Sequence, residues 1–292
     1  MNKDIIQKEY QKKIKLLNYY NQKYYNENIS EISDTEYDEL KKNVIHLEKK
    51  HKHLKSKDSP TIKVGYKPSK TFKKVLHKVP MLSLGNAFSM EDLINFEKRI
   101  INFLDKSEGF EIEYSAEPKI DGISASLTYK NGKFINGLSR GDGKEGEDIT
   151  ENLKTIEDIP HDIKSKSFPD EIDIRGEVFI KNNDFKKLSN KFANPRNAAS
   201  GSLRQKNPLE TKKIPLKFIA YTFGYEKGLQ VSFQSEYLKK LKDWGFKTNP
   251  LNKTIKNVKH LMKNYNEIEK KRGDIDFDID GIVYKVNDLK LQ

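Results

Sequence analysis

The stretch Ala116-Glu117-Pro118-Lys119-Ile120-Asp121-Gly122 sets one lysine between two carboxylates and just ahead of a glycine. A lysine amine becomes a nucleophile only after losing a proton, and at its unperturbed pKa of about 10.4 roughly 1 in 2,500 is neutral at pH 7. Cationic neighbours or a divalent metal lower that barrier, and Glu177 and Asp280 are carboxylates able to hold a metal. Arginines beside a transferring phosphate stabilise charge in its transition state. Of the 55 basic residues only six are arginine: Arg99, Arg140, Arg175, Arg196, Arg204 and Arg272. Lysine thus serves where a plain charge suffices, and arginine is kept for planar, bidentate forks. These parts suit attack of Lys119 on a phosphorus to form a phosphoramidate. Taken alone, Lys-x-Asp-Gly is the signature of a solvated lysine in a tight turn, so its weight depends on the surrounding elements.

Phe110 to Ala116 reads as an apolar-leaning strand. Ile123 to Tyr129 alternates, with Ile123, Ala125, Leu127 and Tyr129 on one face. Asn131-Gly132 predicts a hairpin into Lys133 to Leu138. Lys119 is therefore expected in the turn between two strands, where Gly122 permits close approach. Ile172 to Ile180 is a strand carrying Arg175-Gly176-Glu177, followed by a helix to about Phe192. Ala193 to Gln205 is small and polar, too poor in bulky residues to be core. A buried strand over Pro215 to Gly224, helices over Gln234 to Trp244 and Val258 to Lys271, and a strand over Phe277 to Val286 complete the chain. The last strand has acidic residues entering and Lys285 leaving. Ser139 to Asp148 is glycine-rich and expected to enter a helix. It is not a Walker A loop, because Gly137 to Gly143 is one residue too long and Glu145 stands at the Ser/Thr position. Before the central hairpin, Met81 to Asn86 precedes a helix over Met90 to Leu104 capped by Ser89.

A length of 292 residues fits a small domain plus a larger one. With 35% hydrophobic and 34% charged residues the core is lean but adequate. No apolar run approaches membrane-spanning length and the N-terminus lacks a signal-peptide centre, so the expectation is a cytoplasmic protein with no membrane association. The absence of cysteine excludes disulfides and Cys-based zinc sites in this portion. A net charge of +12 and a pI of about 9.3 favour a polyanionic partner, nucleic acid ahead of a membrane surface. Much of that excess lies in Lys41 to Lys78, and such runs are more often solubilising faces than binding sites. Residues 1 to 55 read as two or three helices, with Ile5, Ile6, Tyr10, Ile14 and Leu17 at helical spacing. A capping box, Ser33-Asp34-Thr35-Glu36, precedes Tyr37, Leu40, Val44 and Leu47 on one face. Asp34 and Asp38, with Tyr24, Tyr25 and Tyr37 nearby, are either an ordinary acidic helix start or a receptor for a flat cation. Lys57 to Pro60 and Lys67-Pro68-Ser69 mark a linker, giving domains of 1–69 and 70–292.

Several motifs occur together and in order. They are Tyr37-Asp38 after Asp34, Met81-Leu-Ser83-Leu84, Glu117-Pro-Lys119-Ile-Asp121-Gly122 and Ser-Arg140-Gly-Asp-Gly. Glu147-Asp-Ile-Thr, Arg175-Gly-Glu177-Val-Phe, Asn-Pro-Arg196-Asn-Ala-Ala-Ser-Gly-Ser-Leu-Arg204-Gln and Phe277-Asp-Ile-Asp280-Gly-Ile-Val-Tyr-Lys285-Val follow. Carrying them, the sequence resembles the N-terminal half of bacterial NAD-dependent DNA ligases over essentially its whole length. The resemblance implies an α+β fold: a small helical NAD-recognition domain joined to a nucleotidyltransferase domain of antiparallel sheets flanked by helices. It implies nick sealing on double-stranded DNA by a monomer, with NAD and Mg2+ or Mn2+ as cofactors.

By the same resemblance Lys119 becomes adenylylated, Glu117 contacts adenine, and Arg140 and Glu177 serve the ribose and phosphate surroundings. Ser83 and Leu84 border the nucleotide pocket, as do Asp121 and Gly122. Lys285 contacts the α-phosphate, with Asp280 and Arg272 on the same wall and Glu177 and Asp280 as metal carboxylates. Arg196 and Arg204 serve the catalytic face or the DNA backbone. Tyr24, Tyr25, Asp34, Tyr37 and Asp38 grip the nicotinamide mononucleotide half. At Tyr25 some relatives carry histidine, which leaves stacking intact. The family's later lysine motif, oligonucleotide-binding barrel, zinc module, helix-hairpin-helix region and BRCT domain are expected outside these residues, and sealing by this portion is expected to be very poor. An ATP-dependent ligase or capping-type nucleotidyltransferase shares the lysine motif, and an idle basic nucleic-acid-binding module shares the charge.

Overall fold

The computed structural model describes residues 3–23, 31–32, 34–55, 59–61, 72–107 and 109–292. Its strands are β1 (Lys74–Leu76), β2 (Tyr114–Ile120), β3 (Ile123–Lys130), β4 (Lys133–Ser139), β5 (Glu145–Glu147), β6 (Glu171–Ile180), β7 (Leu216–Lys227), β8 (Lys253–Ile255) and β9 (Ile279–Val286). Its helices are α1 (Lys3–Gln22), α2 (Asp34–Lys50), α3 (Met90–Phe103), α4 (Thr150–Leu153), α5 (Asn182–Phe185), α6 (Pro195–Leu203), α7 (Pro208–Lys212), α8 (Gln234–Asp243) and α9 (Leu261–Lys271). Helices and antiparallel sheets make this an α+β chain. It forms two compact units, Met1–Ser83 with Arg140–Glu147, and Leu84–Ser139 with Asp148–Gln292. Among the described residues no helix is long and apolar enough to cross a membrane.

In the first unit the three- and four-residue spacing of apolar positions works as expected. Ile6, Tyr10 and Leu17 of α1 pack with Val44 of α2 and with Leu54 just beyond it. Buried Glu48 accepts hydrogen bonds from Tyr10 Oη (2.9 Å), Ser59 Oγ (2.6 Å) and Thr61 Oγ1 (2.8 Å), so three hydroxyls satisfy its charge and tie the chain leaving α2 back onto the helix pair. Ser33 of the expected capping box lies outside the described residues. The glycine-rich segment contains a short strand, β5, which pairs antiparallel with β1, and the expected helix follows at Thr150 as α4. Asp142 Oδ1 accepts from the amides of Lys144 and Glu145 at 2.9 Å each, so the loop closes on itself as a turn.

The second unit holds two antiparallel sheets, ordered β8-β2-β9 and β4-β3-β6-β7. Sequence reading put Lys119 in a turn between two strands. In fact β2 runs from Tyr114 to Ile120, and Lys119 is a strand residue. The chain then crosses at Asp121-Gly122 from one sheet to the other, because β2 pairs with β8 and β9 whereas β3 pairs with β4 and β6. A β-carbon on Gly122 would meet the Val178 carbonyl oxygen at 2.4 Å, so what approaches this glycine is β6. Asn131 (φ 47°) and Gly132 (φ 77°) adopt the left-handed backbone of the expected two-residue hairpin.

Alternation sorts β2 by face. Tyr114 and Ala116 join Leu93 of α3, Leu261 of α9, Ile255 and Val286 in one core, leaving Ser115, Glu117 and Lys119 on the opposite face. A bulge between Lys119 and Ile120 turns Ile120 towards Phe179 and Ile219 of the second sheet. Ser89 caps α3 as expected, in a full capping box with Asp92.

Two further expectations fail. The helix after β6 is only the four-residue α5, followed by turns. The segment expected to be too polar for core forms α6, with Pro195, Asn197, Ala198, Ala199, Ser200, Ser202 and Leu203 all buried against β6 and β3. Small side chains let a helix axis lie close to a sheet, and closeness here replaces bulk.

Candidate active site

The second unit gathers its chemistry on the face of β2 that carries Ser115, Glu117 and Lys119. Lys119, at the bulge, forms an ion pair and hydrogen bond with Asp280 of β9. Its register partner is Gly281, whose φ of 140° favours glycine. The bulge and this glycine aim the amine and the carboxylate at each other.

Two residues back, Glu117 is buried. Its Oε1 accepts from Ser115 Oγ and Gln234 Nε2, both at 2.9 Å, and its Oε2 accepts from Lys285 Nζ at 2.8 Å. Lys285 Nζ also donates to the Tyr221 carbonyl at 2.9 Å and stands 5.4 Å from the centroid of the Tyr221 ring. A buried ion pair survives only with its remaining lone pairs and protons satisfied, and Ser115, Gln234 and Tyr221 do that here. Lys285 thus meets Glu117 rather than the Lys119–Asp280 end of the strand.

The second sheet supplies Glu177 of β6. Its register partner Ser124 donates to Glu177 Oε2 at 2.8 Å. Burial pushes this carboxyl up to about 7, with Asp121 adding to the rise, while the charges of Arg196 and Lys119 and the Ser124 hydroxyl oppose it. Arg196 reaches the cluster because of how α6 begins. Asn194 caps the helix by accepting from the Asn197 amide at 2.7 Å, Pro195 takes the first turn, and Arg196 then points to Asp121 Oδ1 at 2.8 Å. Two residues before Glu177 on the same strand, Arg175 is buried. Burial pulls its guanidinium below the usual arginine range, opposed by Tyr221 and Asp173. It lies so close to Gly224 that a β-carbon there would stand 2.6 Å from Arg175 Nη2.

Lys119, Asp121, Glu177, Asp280 and Arg196 therefore come together, with Glu117 and Lys285 beside them and Gly122 as their hinge. Arg204 ends α6, half-buried, with Nη1 at 3.5 Å from Ser200 Oγ. Arg272 is exposed at the end of α9, with Tyr265 as its electrostatic neighbour. Leu84 is exposed at the start of the second unit. In the first unit Arg140 Nη2 donates to Ser83 Oγ at 3.1 Å, while His77 Nε2 lies 3.1 Å from the Arg140 carbonyl. In that unit, too, the Tyr37 hydroxyl donates to Asn21 Oδ1 at 2.7 Å, linking α2 to α1, and half-buried Asp38 follows it. Asp34 opens α2. Tyr24 and Tyr25 lie outside the described residues.

Sequence reasoning missed Gln234, Ser115, Ser124 and Tyr221. The two serines carried a signal, since Ser115 shares the strand face of Glu117, and Ser124 lies on the polar side of β3. Gln234 and Tyr221 carried none, because their partners lie far along the chain. Among the described residues no three His, Asp or Glu side chains converge to hold a metal by themselves. Of the cluster's carboxylates, Asp280 is paired with Lys119 and Glu177 with the Ser124 hydroxyl. A separate cleft, lined by Asn131, Gly132, Ile163, Lys164 and Phe168, lies past the far end of β3 and contains none of these groups.

Comparison with known proteins fits this geometry. Residues 69–292 match the family described as NAD-dependent DNA ligase adenylation domain, and residues 3–65 match the family described as DNA ligase-like, N-terminal NAD+-binding domain. A protein named DNA ligase from Pelagibacter ubique (strain HTCC1062) is 65% identical over 292 residues, which is 100% of this chain and 43% of that protein. Another of that name from Parvibaculum lavamentivorans (strain DS-1 / DSM 13023 / NCIMB 13966) is 46% identical over 277 residues, 92% of this chain and 39% of the relative. The chain spans less than half the length of these curated relatives.

Proposed function

This chain belongs to the NAD-dependent DNA ligase family, and from that premise we propose that Lys119 takes AMP from NAD as the first step of sealing nicked double-stranded DNA. The observation that carries the reading is that Glu117 and Lys119 project from one face of β2, one meeting Lys285 and the other Asp280. A base-reading pair and a nucleophile are thereby set about 7 Å apart along a rigid strand.

In the reaction the ammonium of Lys119 first gives up a proton, and Asp280 is the carboxylate in contact to pass it to solvent. The freed electron pair forms a P–N bond to the α-phosphorus, while the P–O bond to nicotinamide mononucleotide breaks and its electrons leave on that product's phosphate. The nitrogen then loses a second proton and stands as a neutral phosphoramidate. Arg196, held by Asp121, offers its fork to the phosphate oxygens. Glu177 serves the ribose and phosphate surroundings. Magnesium or manganese, which Glu177 and Asp280 would hold, would supply charge neutralisation when bound. Lys285, by its partner Glu117, is assigned to the base end. AMP is destined for the 5′-phosphate of a nick, from which the 3′-hydroxyl displaces it.

Residues 1–69 act as the NAD-recognition domain, with Tyr24, Tyr25, Asp34, Tyr37 and Asp38 at the nicotinamide mononucleotide. Residues 70–292 act as the adenylation domain, with Ser83, Leu84, Arg140 and Arg272 around the nucleotide and Arg204 towards the DNA. The protein works as a monomer in the cytoplasm. Incubation with NAD and magnesium followed by intact-mass measurement tests the reading. One AMP should appear on the wild type and none on Lys119→Ala. No adduct on the wild type, or an adduct that persists in Lys119→Ala, overturns it.

A further inference from the structure

We propose that Gln234 is the positioning residue that makes this site read a 6-aminopurine, by locking the Glu117 carboxylate in one orientation. The proposal rests on the assignment of Glu117 and Lys285 to the base.

The count of hydrogen-bond sites leads to it. A carboxylate has about four lone-pair positions and an ammonium has three protons. On Glu117, Oε1 is filled by Ser115 and Gln234, and Oε2 holds Lys285, which leaves one acceptor position on Oε2. Lys285 spends one proton on Glu117 and one on the Tyr221 carbonyl, which leaves one donor. The pair therefore offers a single acceptor beside a single donor. Adenine matches it with an amino donor at position 6 next to the bare N1 acceptor. A 6-oxopurine presents the same two positions in the reverse order, setting an oxygen against the carboxylate and an N–H against the ammonium.

Rotation of the carboxylate would leave it an acceptor but would swing its remaining lone pair out of line with the Lys285 donor, and Gln234 is what holds it. Its side chain is 1% exposed at the first position of α8. Both Nε2 protons are used, on Glu117 Oε1 at 2.9 Å and on the Tyr221 carbonyl at 2.8 Å. Its own Oε1 is buried with no hydrogen-bond partner. Flipping the amide would press that oxygen onto two acceptors, so only one orientation is allowed. The backbone holds it as well, since the Gln234 amide donates to the Asn287 carbonyl at 2.7 Å. An orphaned buried oxygen carries a cost, and here it is the consequence of spending the whole amide on two donor bonds.

The test compares NAD with nicotinamide hypoxanthine dinucleotide, which differs only in the 6-position chemistry. Lysyl-nucleotide formation by the wild type should favour NAD strongly. Gln234→Met keeps the shape without the donors and should cut the preference by roughly tenfold or more, through weaker half-saturation by NAD rather than a slower saturated rate. Equal losses with both dinucleotides, or an unchanged preference, overturn the proposal. Gln234→Glu gives a check that folding cannot imitate: protonation restores one donor, so the preference should recover as pH falls, and failure to recover counts against it. Equilibrium binding of both dinucleotides reads the same ratio without turnover. Glu117→Gln separates the two levels. If it leaves the preference intact, the base-reading pair itself is refuted and this proposal with it. If it abolishes the preference while Gln234→Met does not, only the role of Gln234 is lost.

Discussion

Arg196 Nη1 donates to Asp121 Oδ1 at 2.8 Å, which ties the first turn of α6 to the point where the chain leaves β2 for the second sheet. The pair is partly exposed, with side chains 22% and 27% accessible, so its Coulomb energy contributes about 1 kcal/mol or less to stability. Its value lies in aim. Asp121→Asn should leave the urea midpoint almost unchanged while slowing formation of the AMP adduct by about ten- to a hundredfold. A large stability loss with an unchanged adduct rate would contradict this division of labour.

Glu177 gives a pH signature. Burial raises its folded pKa to about 7, above the unfolded value of 4.5. Below pH 4.5 both states hold the proton and there is no penalty. Between 4.5 and 7 the unfolded state releases its proton while the folded state keeps it, so stability falls as pH rises, and above 7 the full penalty applies. Glu177→Gln should therefore stabilise the apo protein above pH 7, by an amount on the order of 3 kcal/mol at most, and have no such effect near pH 4. Denaturation series at both pH values without nucleotide or divalent metal would check it.

Gly122→Ala should be costly. The new β-carbon would lie 2.4 Å from the Val178 carbonyl oxygen and 2.9 Å from the side-chain Cγ of Glu177, and the Val178 backbone cannot yield without shifting β6. A loss of roughly 2–4 kcal/mol is expected, with adduct formation falling in parallel as Glu177 moves. Chemical denaturation and the NAD mass assay on the same preparation report both.

Ala199→Leu tests whether α6 is core. Ala199 is 0% exposed on a helix that packs against β6 and β3. Overpacking should cost about 1–3 kcal/mol. Because Arg196 rides on the same helix, adduct formation should also slow, with little effect on Glu117. The preference for NAD over its hypoxanthine analogue should stay intact even as the rate drops.

Much of the site was legible in one dimension. Lys119 was singled out by Glu117, Asp121 and Gly122 around it, the carboxylates Glu177 and Asp280 by their motifs, and Arg196 by the scarcity of arginine. What misled was composition read without neighbours. Ala198, Ala199, Ser200 and Ser202 look like loop because they lack bulk, yet small residues are what a helix needs when it lies close on a sheet. Gly122 was read as permitting close approach without saying of what, and the neighbour that approaches is β6.

The division follows the range of the forces. Strand alternation in β3, the Asn131-Gly132 turn and the Ser89 cap depend on residues within a few positions, so the sequence alone determined them. Which side chain neutralises which charge depends on pairings at long separation: Lys285 meets Glu117 across 168 residues and Gln234 meets it across 117. Such contacts form only after β2 has chosen β9 over β3 as its neighbour, a choice made by the burial of whole faces rather than by any local pattern. Tertiary structure alone decided that Lys119 stands on a strand, facing Asp280, with Glu117 two residues behind it and paired to Lys285.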